Sequence, residues 1–289
     1  MPFSYENSFI CSDNAPYLAE CPSESVDLGA TDPPYNIGFD YDGEYDDKRT
    51  VEDFLAWTDS WMRQMYRILK PSGSFWCAMG PAMVSEVDCI AKRIGFRKRN
   101  QIIWHYTFGV NCTHKFTPSS THWLYYTKRR DGFTFNSAGN KVPSARTLVY
   151  NDGRASKDGR LPDDVWCLRP QWMPAAFDPD GDLWYNPRVA GTFKERQRGI
   201  KNQIPEQVMA RIIRICSNPG DLVMDPFGGS ATTLAVAKKL GRRYTGCELS
   251  KSFHLIGQGR LAGVNEGDPI AGNPDPLTDP AGSKSNNAD

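Results

Sequence analysis

Apolar positions along the chain repeat with two alternating periods. The run Val26 to Thr31 is short, continuous and apolar, and it breaks off at Asp32, which predicts a buried strand delivering a carboxylate at its carboxyl end. From Thr50 the period lengthens. Thr50 and Asp53 make a capping-box-like start, and Phe54, Trp61, Met65 and Ile68 follow at helical spacing. Pro71-Ser72-Gly73 should end that helix, and Ser74 to Met79 reads as a buried strand. A further helix is expected from Pro81 to the stop at Gly95, then strands over Gln101 to Tyr106 and His122 to Thr127. Periodicity fails between Asp131 and Gly199 and resumes at Pro205, with Val208, Ile212 and Ile215 on one helical face. Leu222 to Met224 is a short strand, the helix after it runs through Lys239 to Gly241, and Arg243 to Cys247 is a strand ending at Glu248. Alternation of strands and helices is the signature of an α/β fold. Beyond Gly263 apolar residues nearly vanish, so 263–289 is expected to be a disordered tail.

Composition narrows this picture modestly. With 289 residues, 39% apolar and 24% charged, the chain can bury one substantial core plus a smaller attached region. Formal net charge is zero, so nucleic-acid affinity would have to come from local basic runs. Three exist: Lys92, Arg93, Arg97, Lys98 and Arg99; Lys128 to Arg130; and Lys194, Arg196, Arg198 and Lys201. The eight cysteines form no C-x-x-C pair, as expected of thiols in a reducing cytoplasm. Cys112 and His114, with His105 and His122 nearby, match no common zinc spacing. No apolar run reaches the ~18 residues of a membrane span, and no membrane partner is expected.

Two short segments carry the candidate chemistry. In Asp32-Pro33-Pro34-Tyr35 a carboxylate, a proline carbonyl without a competing N–H, and an aromatic face are set together at a strand end. The exocyclic amine of a nucleobase is a poor nucleophile because its lone pair is delocalised into the ring. Hydrogen bonds from its two protons to Asp32 and the Pro33 carbonyl would favour a pyramidal nitrogen, and Tyr35 could stack on a base that has left its duplex. The second segment, Asp225-Pro226-Phe227-Gly228-Gly229-Ser230, is a Gly-rich strand-to-helix turn, with Glu248 about twenty positions on, where it can accept ribose hydroxyls. The G-x-G-x-x-G of a dinucleotide site is absent. Asp225 could hold an ammonium group and Phe227 an aromatic contact, which fits a nucleoside cofactor with an amino-acid end, such as S-adenosylmethionine.

In this order the motifs resemble the β-class amino-methyltransferases of DNA. The resemblance runs through Ser25 to Leu28, Thr31 to Asn36, Arg67 to Ser74, Ile102 to His105, Pro205-Glu206, Asp225 to Ser230 and Gly246 to Glu248. It implies a doubly wound, mostly parallel seven-stranded sheet, formed by 1–130 and 200–262, with 131–199 as an inserted target-recognition region. It implies that Asp32, Pro33, Pro34 and Tyr35 hold a flipped base. It also implies that Asp225, Phe227, Gly228, Gly229, Ser230 and Glu248 hold S-adenosylmethionine, with Asp13 meeting the cofactor's adenine. Double-stranded DNA is the implied partner, and a homodimer and a cognate restriction endonuclease are compatible with the family. Asp32, where cytosine-N4 members usually carry Ser, favours adenine N6. N4-cytosine methylation, RNA or protein-amide substrates, and a catalytically weak DNA-binding subunit are the rival readings. Two positions depart from the family: Ala231 stands where Gly is usual, and Ile204 where a Lys often precedes Pro205.

Overall fold

The computed structural model describes residues 5–39, 41, 43–45, 47–106, 112–142, 144, 146, 150–167, 184–185, 189, 195–200 and 202–272. One sheet organises them. Its strands are β1 (Ser8–Cys11), β2 (Val26–Thr31), β3 (Leu69–Met79), β4 (Arg97–His105), β5 (Ser120–Thr127), β6 (Val165–Cys167), β7 (Trp184–Tyr185), β8 (Leu222–Asp225) and β9 (Arg243–Glu248). The order is β1-β9-β8-β2-β3-β5-β4-β6-β7. Every pairing is parallel except those of β5 with β3 and β4. The expected seven-stranded framework is therefore present, and two short strands from the middle region extend it.

The helices are α1 (Asn14–Glu20), α2 (Val51–Ile68), α3 (Val84–Ile94), α4 (Glu206–Cys216), α5 (Thr232–Lys239) and α6 (Lys251–Ala262). Strict alternation on the central strands explains the double winding. Phe75, Cys77 and Met79 pack with Leu124, Tyr126 and Met224 beneath α1–α3. Trp76 and Ala78 pack with Trp123, Tyr125 and Val223 beneath α4 and α5 on the other face. Both faces are buried, so these strands read as continuous apolar runs. Trp76 lies opposite Tyr125 in register and stacks on it, with centroids 4.5 Å apart.

Several boundaries differ from expectation. Thr50 caps α2, accepting from the Asp53 N–H at 3.1 Å. Pro71-Ser72-Gly73, however, does not stop a helix: α2 ends at Ile68, and the three residues lie within β3, where the register against β2 shifts. β1, α1 and α6 are elements that periodicity left unassigned, since two of them are short and α6 carries two glycines. The expected disordered tail needs correction at its start. Lys239 donates to the Pro269 carbonyl at 3.0 Å, the Ala271 N–H donates to Glu206 at 2.8 Å, and Ile270 packs on the α4 side of the core. Residues 273–289 lie outside the described residues.

The middle region is partly built into this framework. Trp166 is buried and stacks on Trp76, so it is a core residue and not a free reader of bases. Asn136 satisfies the carbonyls at the end of α4, accepting nothing there and donating to Arg214 and Ser217 at 3.1 and 3.0 Å. Trp172 and the side chain of Trp184 lie outside the described residues.

Candidate active site

Winding direction explains why the two motifs meet. From β2 the chain moves to β3 on one side, and from β8 to β9 on the other, so the sheet changes direction between β2 and β8. In open α/β sheets the crevice at that point, beyond the carboxyl ends of the strands, is where ligands bind. Asp32 follows β2, Asp225 closes β8 and Glu248 closes β9. Thr31 donates to the Asp225 Oδ1 at 2.7 Å, joining motifs 194 residues apart. A cavity of about 620 Å³ opens above them, and Asp13, Asp32, Tyr35, Phe227, Gly229 and Glu248 are all in its wall.

At the Asp32 motif, Tyr35 donates its hydroxyl to the Asp32 Oδ1. Burial and the adjacent Asp32 charge push the Tyr35 phenol well above its ordinary value. It therefore stays protonated and acts as a donor to Asp32, not as a base. A carboxylate offers about four acceptor sites, of which Tyr35 takes one. Pro33 and Pro34 are buried and line the same cavity. The loop after the motif folds back over the cavity because Asp47, itself buried, accepts from the N–H groups of Asn36, Ile37 and Phe39 at 2.9–3.0 Å. That loop contributes Tyr41 and Tyr45, and Trp104 and Tyr106 come from β4 and its end. None of these four was expected at the site, although Trp104 stands in the Ile102 to His105 stretch that carries the family resemblance. The available signal was aromatic density just after two strand-end motifs.

At the Gly-rich turn, Asp225 shapes the backbone. It accepts from Thr31 and the Phe227 N–H on one oxygen and from Thr233 at 2.7 Å on the other. Burial raises its carboxyl pKa, and these three donors work against the rise. Glu248 accepts the Gly229 N–H and the Ser250 N–H, both at 2.8 Å, which fixes its carboxylate between the two turns. Burial pushes its pKa up as well, against those amide donors. Phe227 packs edge-on against Trp57 and Trp61 at 5.6 and 5.2 Å. Asp13 caps α1 by accepting the Ala15 N–H at 2.7 Å. Its neighbour Asn14, also in the cavity wall, is buried and its Oδ1 has no hydrogen-bond partner among the described residues. A buried acceptor left without a donor costs about 1–3 kcal/mol, so this end of the cavity suits a ligand with an N–H or O–H group.

Ala231, the residue that replaces glycine, adopts φ 57° and ψ 31°, as Gly229 does with φ 50°. The left-handed region costs a non-glycine residue about 1–2 kcal/mol. The buried methyl group, packed among Phe9, Leu234 and Leu261, returns about 0.8 kcal/mol. Glycine would also lose about 0.5–1 kcal/mol of extra chain entropy. Ala231→Gly is thus expected to leave stability within about 1 kcal/mol of wild type in thermal melts. A loss above about 2 kcal/mol would mean that methyl packing dominates.

Below the Gly-rich turn lies a buried ion cluster. Glu206 meets Lys239 and Arg260 at 2.8 Å each, and Arg260 reaches the Ser230 carbonyl and the Thr232 hydroxyl at 3.2 and 2.6 Å. Sequence reading marked Pro205-Glu206 and Ser230 separately and gave no sign that Arg260 joins them.

The basic runs are distributed unevenly. Arg97 and Thr127 are opposite one another at the far edge of the sheet, whereas Met79 and His122 pair at the cavity edge. The runs 92–99 and 128–130 therefore sit away from the cavity. Lys92 and Lys98 pair with Asp88, Arg93 pairs with Asp59, and Lys128 donates to the Leu69 carbonyl. Arg196 and Arg198, by contrast, are exposed on the segment whose Ile200, Asn202 and Ile204 enter the cavity wall. Lys194 and Lys201 lie outside the described residues.

A family model described as DNA methylase matches residues 26–258, most of the chain. This chain belongs to that DNA methylase family. The methylase is 31% identical over 257 residues to the type II methyltransferase M.HpaI of Haemophilus parainfluenzae, covering 89% of this chain and 74% of that one. It is 32% identical over 263 residues to the DNA adenine methyltransferase YhdJ of Escherichia coli strain K12, covering 88% and 82%. Among solved structures, the cytosine-N4-specific PvuII DNA methyltransferase superposes with a TM-score of 0.61 at 18% identity, covering 88% of this chain and 86% of that one. The M1.HpyAVI–SAM complex gives 0.56 at 20%, covering 88% and 98%. These two likenesses concern the fold of the methylase. Among the described residues no group of His, Cys, Asp and Glu could hold a metal ion, and no helix is long and apolar enough to cross a membrane.

Proposed function

We propose that this methylase transfers a methyl group from S-adenosylmethionine to the exocyclic N6 amine of an adenine flipped out of duplex DNA. The observation that carries the reading is the single cavity in which Asp32 and Tyr35 face Glu248 and the Gly-rich turn. Adenine is favoured over cytosine by Asp32 and by the identity with YhdJ, which is named an adenine methyltransferase. A cognate restriction endonuclease fits the resemblance to type II methyltransferases.

The cofactor fits the residues present. Glu248 retains acceptor capacity for a ribose diol, and Asn14 offers its unpartnered Oδ1 to the adenine amine. The wall carries Asp13, Asp32, Glu44, Asp225 and Glu248 against one described cation, Lys115. That balance suits a positively charged sulfonium. When bound, S-adenosylmethionine supplies an electrophilic methyl group. The protein's own work is positioning and electrostatics. Asp32 and the Pro33 carbonyl would each accept one amine proton, so the nitrogen lone pair points at the cofactor. Tyr35, protonated and fixed by Asp32, would supply a flat wall for the base. The proton displaced on transfer would leave through Asp32 to solvent.

Glu248→Ala should weaken cofactor binding about ten- to a hundred-fold, since charge-assisted bonds are worth ~1.5–3 kcal/mol each and do not add. Acidification should weaken the wild type too. Protonation of Glu248 removes the charge, and its raised pKa makes this loss begin at higher pH than for an ordinary glutamate. Calorimetry across pH on the wild type and Glu248→Gln checks both points. The variant should lose that acid limb, and an identical limb in both would assign it elsewhere. The reading as a whole is tested by sequencing DNA from a methylation-free host that expresses the chain. Methylated adenine in one sequence context is expected.

A further inference from the structure

Phe116 is wholly exposed, an aromatic side chain from which the fold gains no burial. It lies on the segment between β4 and β5, flanked by Lys115 and Pro118, which are both in the cavity wall. The end of that segment is tied down by the Tyr106 N–H, which donates to the Ser119 carbonyl at 2.9 Å. A second apolar side chain, Ile37, is 65% exposed in the same wall, directly after the acceptor motif. The cavity interior is lined with carboxylates, so a phosphate backbone is repelled from it, whereas an uncharged base is not. Lys115, the one cation among the described wall residues, is the sequence neighbour of Phe116.

A base that enters the cavity leaves an unstacked gap in its duplex. Apolar side chains inserted between base steps are a known way of paying for unstacking, and an aromatic ring can stack on any base. We propose that Phe116 is the wedge that fills this gap, holding the target base out while Lys115 anchors the adjoining phosphate. The proposal rests on duplex DNA being the substrate.

The test uses the full chain and a duplex oligonucleotide carrying the methylated site found by sequencing. The target base is either normally paired or placed opposite an abasic sugar, which removes most of the cost of extrusion. Phe116→Ala should lower kcat/KM on the paired duplex at least about 30-fold, a flipping penalty of ordinary size, and less than about three-fold on the abasic one. Phe116→Trp should keep near wild-type rates on both. Cofactor affinity without DNA and the thermal midpoint should not move, because the ring touches nothing in the fold. Equal rates for wild type and Phe116→Ala on the paired duplex, or equal losses on both duplexes, would overturn the wedge alone. A wild type that methylates no DNA would overturn the substrate reading, and the wedge with it.

Discussion

Asp32→Ala is expected to lower kcat for methyl transfer by at least about 10³-fold, at the upper end of what one preorganised polar group contributes. Cofactor affinity should change little, because Glu248 and the Gly-rich turn are held by contacts that do not involve Asp32. Asp32→Asn should also be severely impaired, about a hundred-fold, since a neutral amide oxygen is a weaker acceptor than a carboxylate. Tyr35 separates this account from general-base catalysis. Its hydroxyl bonds to Asp32 and it does not titrate near neutrality, so kcat should show no basic limb arising from Tyr35. Tyr35→Phe should keep the stacking wall, lose the hydrogen bond that orients Asp32, and fall between wild type and Asp32→Asn. Near wild-type turnover by Asp32→Ala in single-turnover assays would remove the proposed mechanism.

The largest effect on stability is expected at Glu206. Its carboxylate lies between Lys239 and Arg260, all three nearly inaccessible to water. Burial alone would raise the Glu206 pKa, but the two cations outweigh it and hold the carboxyl below its usual value. Glu206→Gln removes the carboxylate that bonds both cations and leaves them only the nearby charge of Glu195, and breaking a buried pair in this way costs up to about 3–5 kcal/mol. For a chain of this size that corresponds to a fall of about 10 °C in Tm. The sign with pH follows from the lowered pKa. Glu206 contributes its stability above the pKa of the unfolded carboxyl, and the contribution is lost as pH falls through the lower folded value. The variant should therefore show a smaller acid-induced loss than the wild type. Because Arg260 also holds Ser230 and Thr232, the Gly-rich turn should loosen too. An unchanged Tm in Glu206→Gln would mean that water enters the cluster.

Periodicity revealed the central sheet because its strands are buried on both faces and its long helices present one apolar stripe. It failed where apolar residues were not the cause of the structure. β3 begins at Leu69 because Pro71 to Gly73 fit an irregular stretch of strand, whereas proline and glycine read as a stop. The stretch 263–272 looks like a tail by composition, yet it is held by hydrogen bonds to Lys239 and Glu206, which no hydropathy pattern records. The two motifs were legible because their residues are adjacent in sequence. Tyr106 and Arg260 were not, since each arrives through the topology of the sheet; Tyr41 is carried in by the loop that Asp47 folds back, and Asn14, beside Asp13, has no hydropathy signal of its own. The basic runs show the same limit: two of them sit at the edge away from the cavity, where Lys92, Lys98, Arg93 and Lys128 are engaged with Asp88, Asp59 and the Leu69 carbonyl.

In the proposed mechanism Asp32 activates the exocyclic N6 amine of adenine for methylation. That step is tested most directly by nucleoside chromatography of DNA from a methylation-free host expressing either the wild-type chain or Asp32→Ala. The account predicts N6-methyladenine with the wild type and none with the variant. N4-methylcytosine in its place, no methylated base at all, or equal N6-methyladenine from both chains would contradict it.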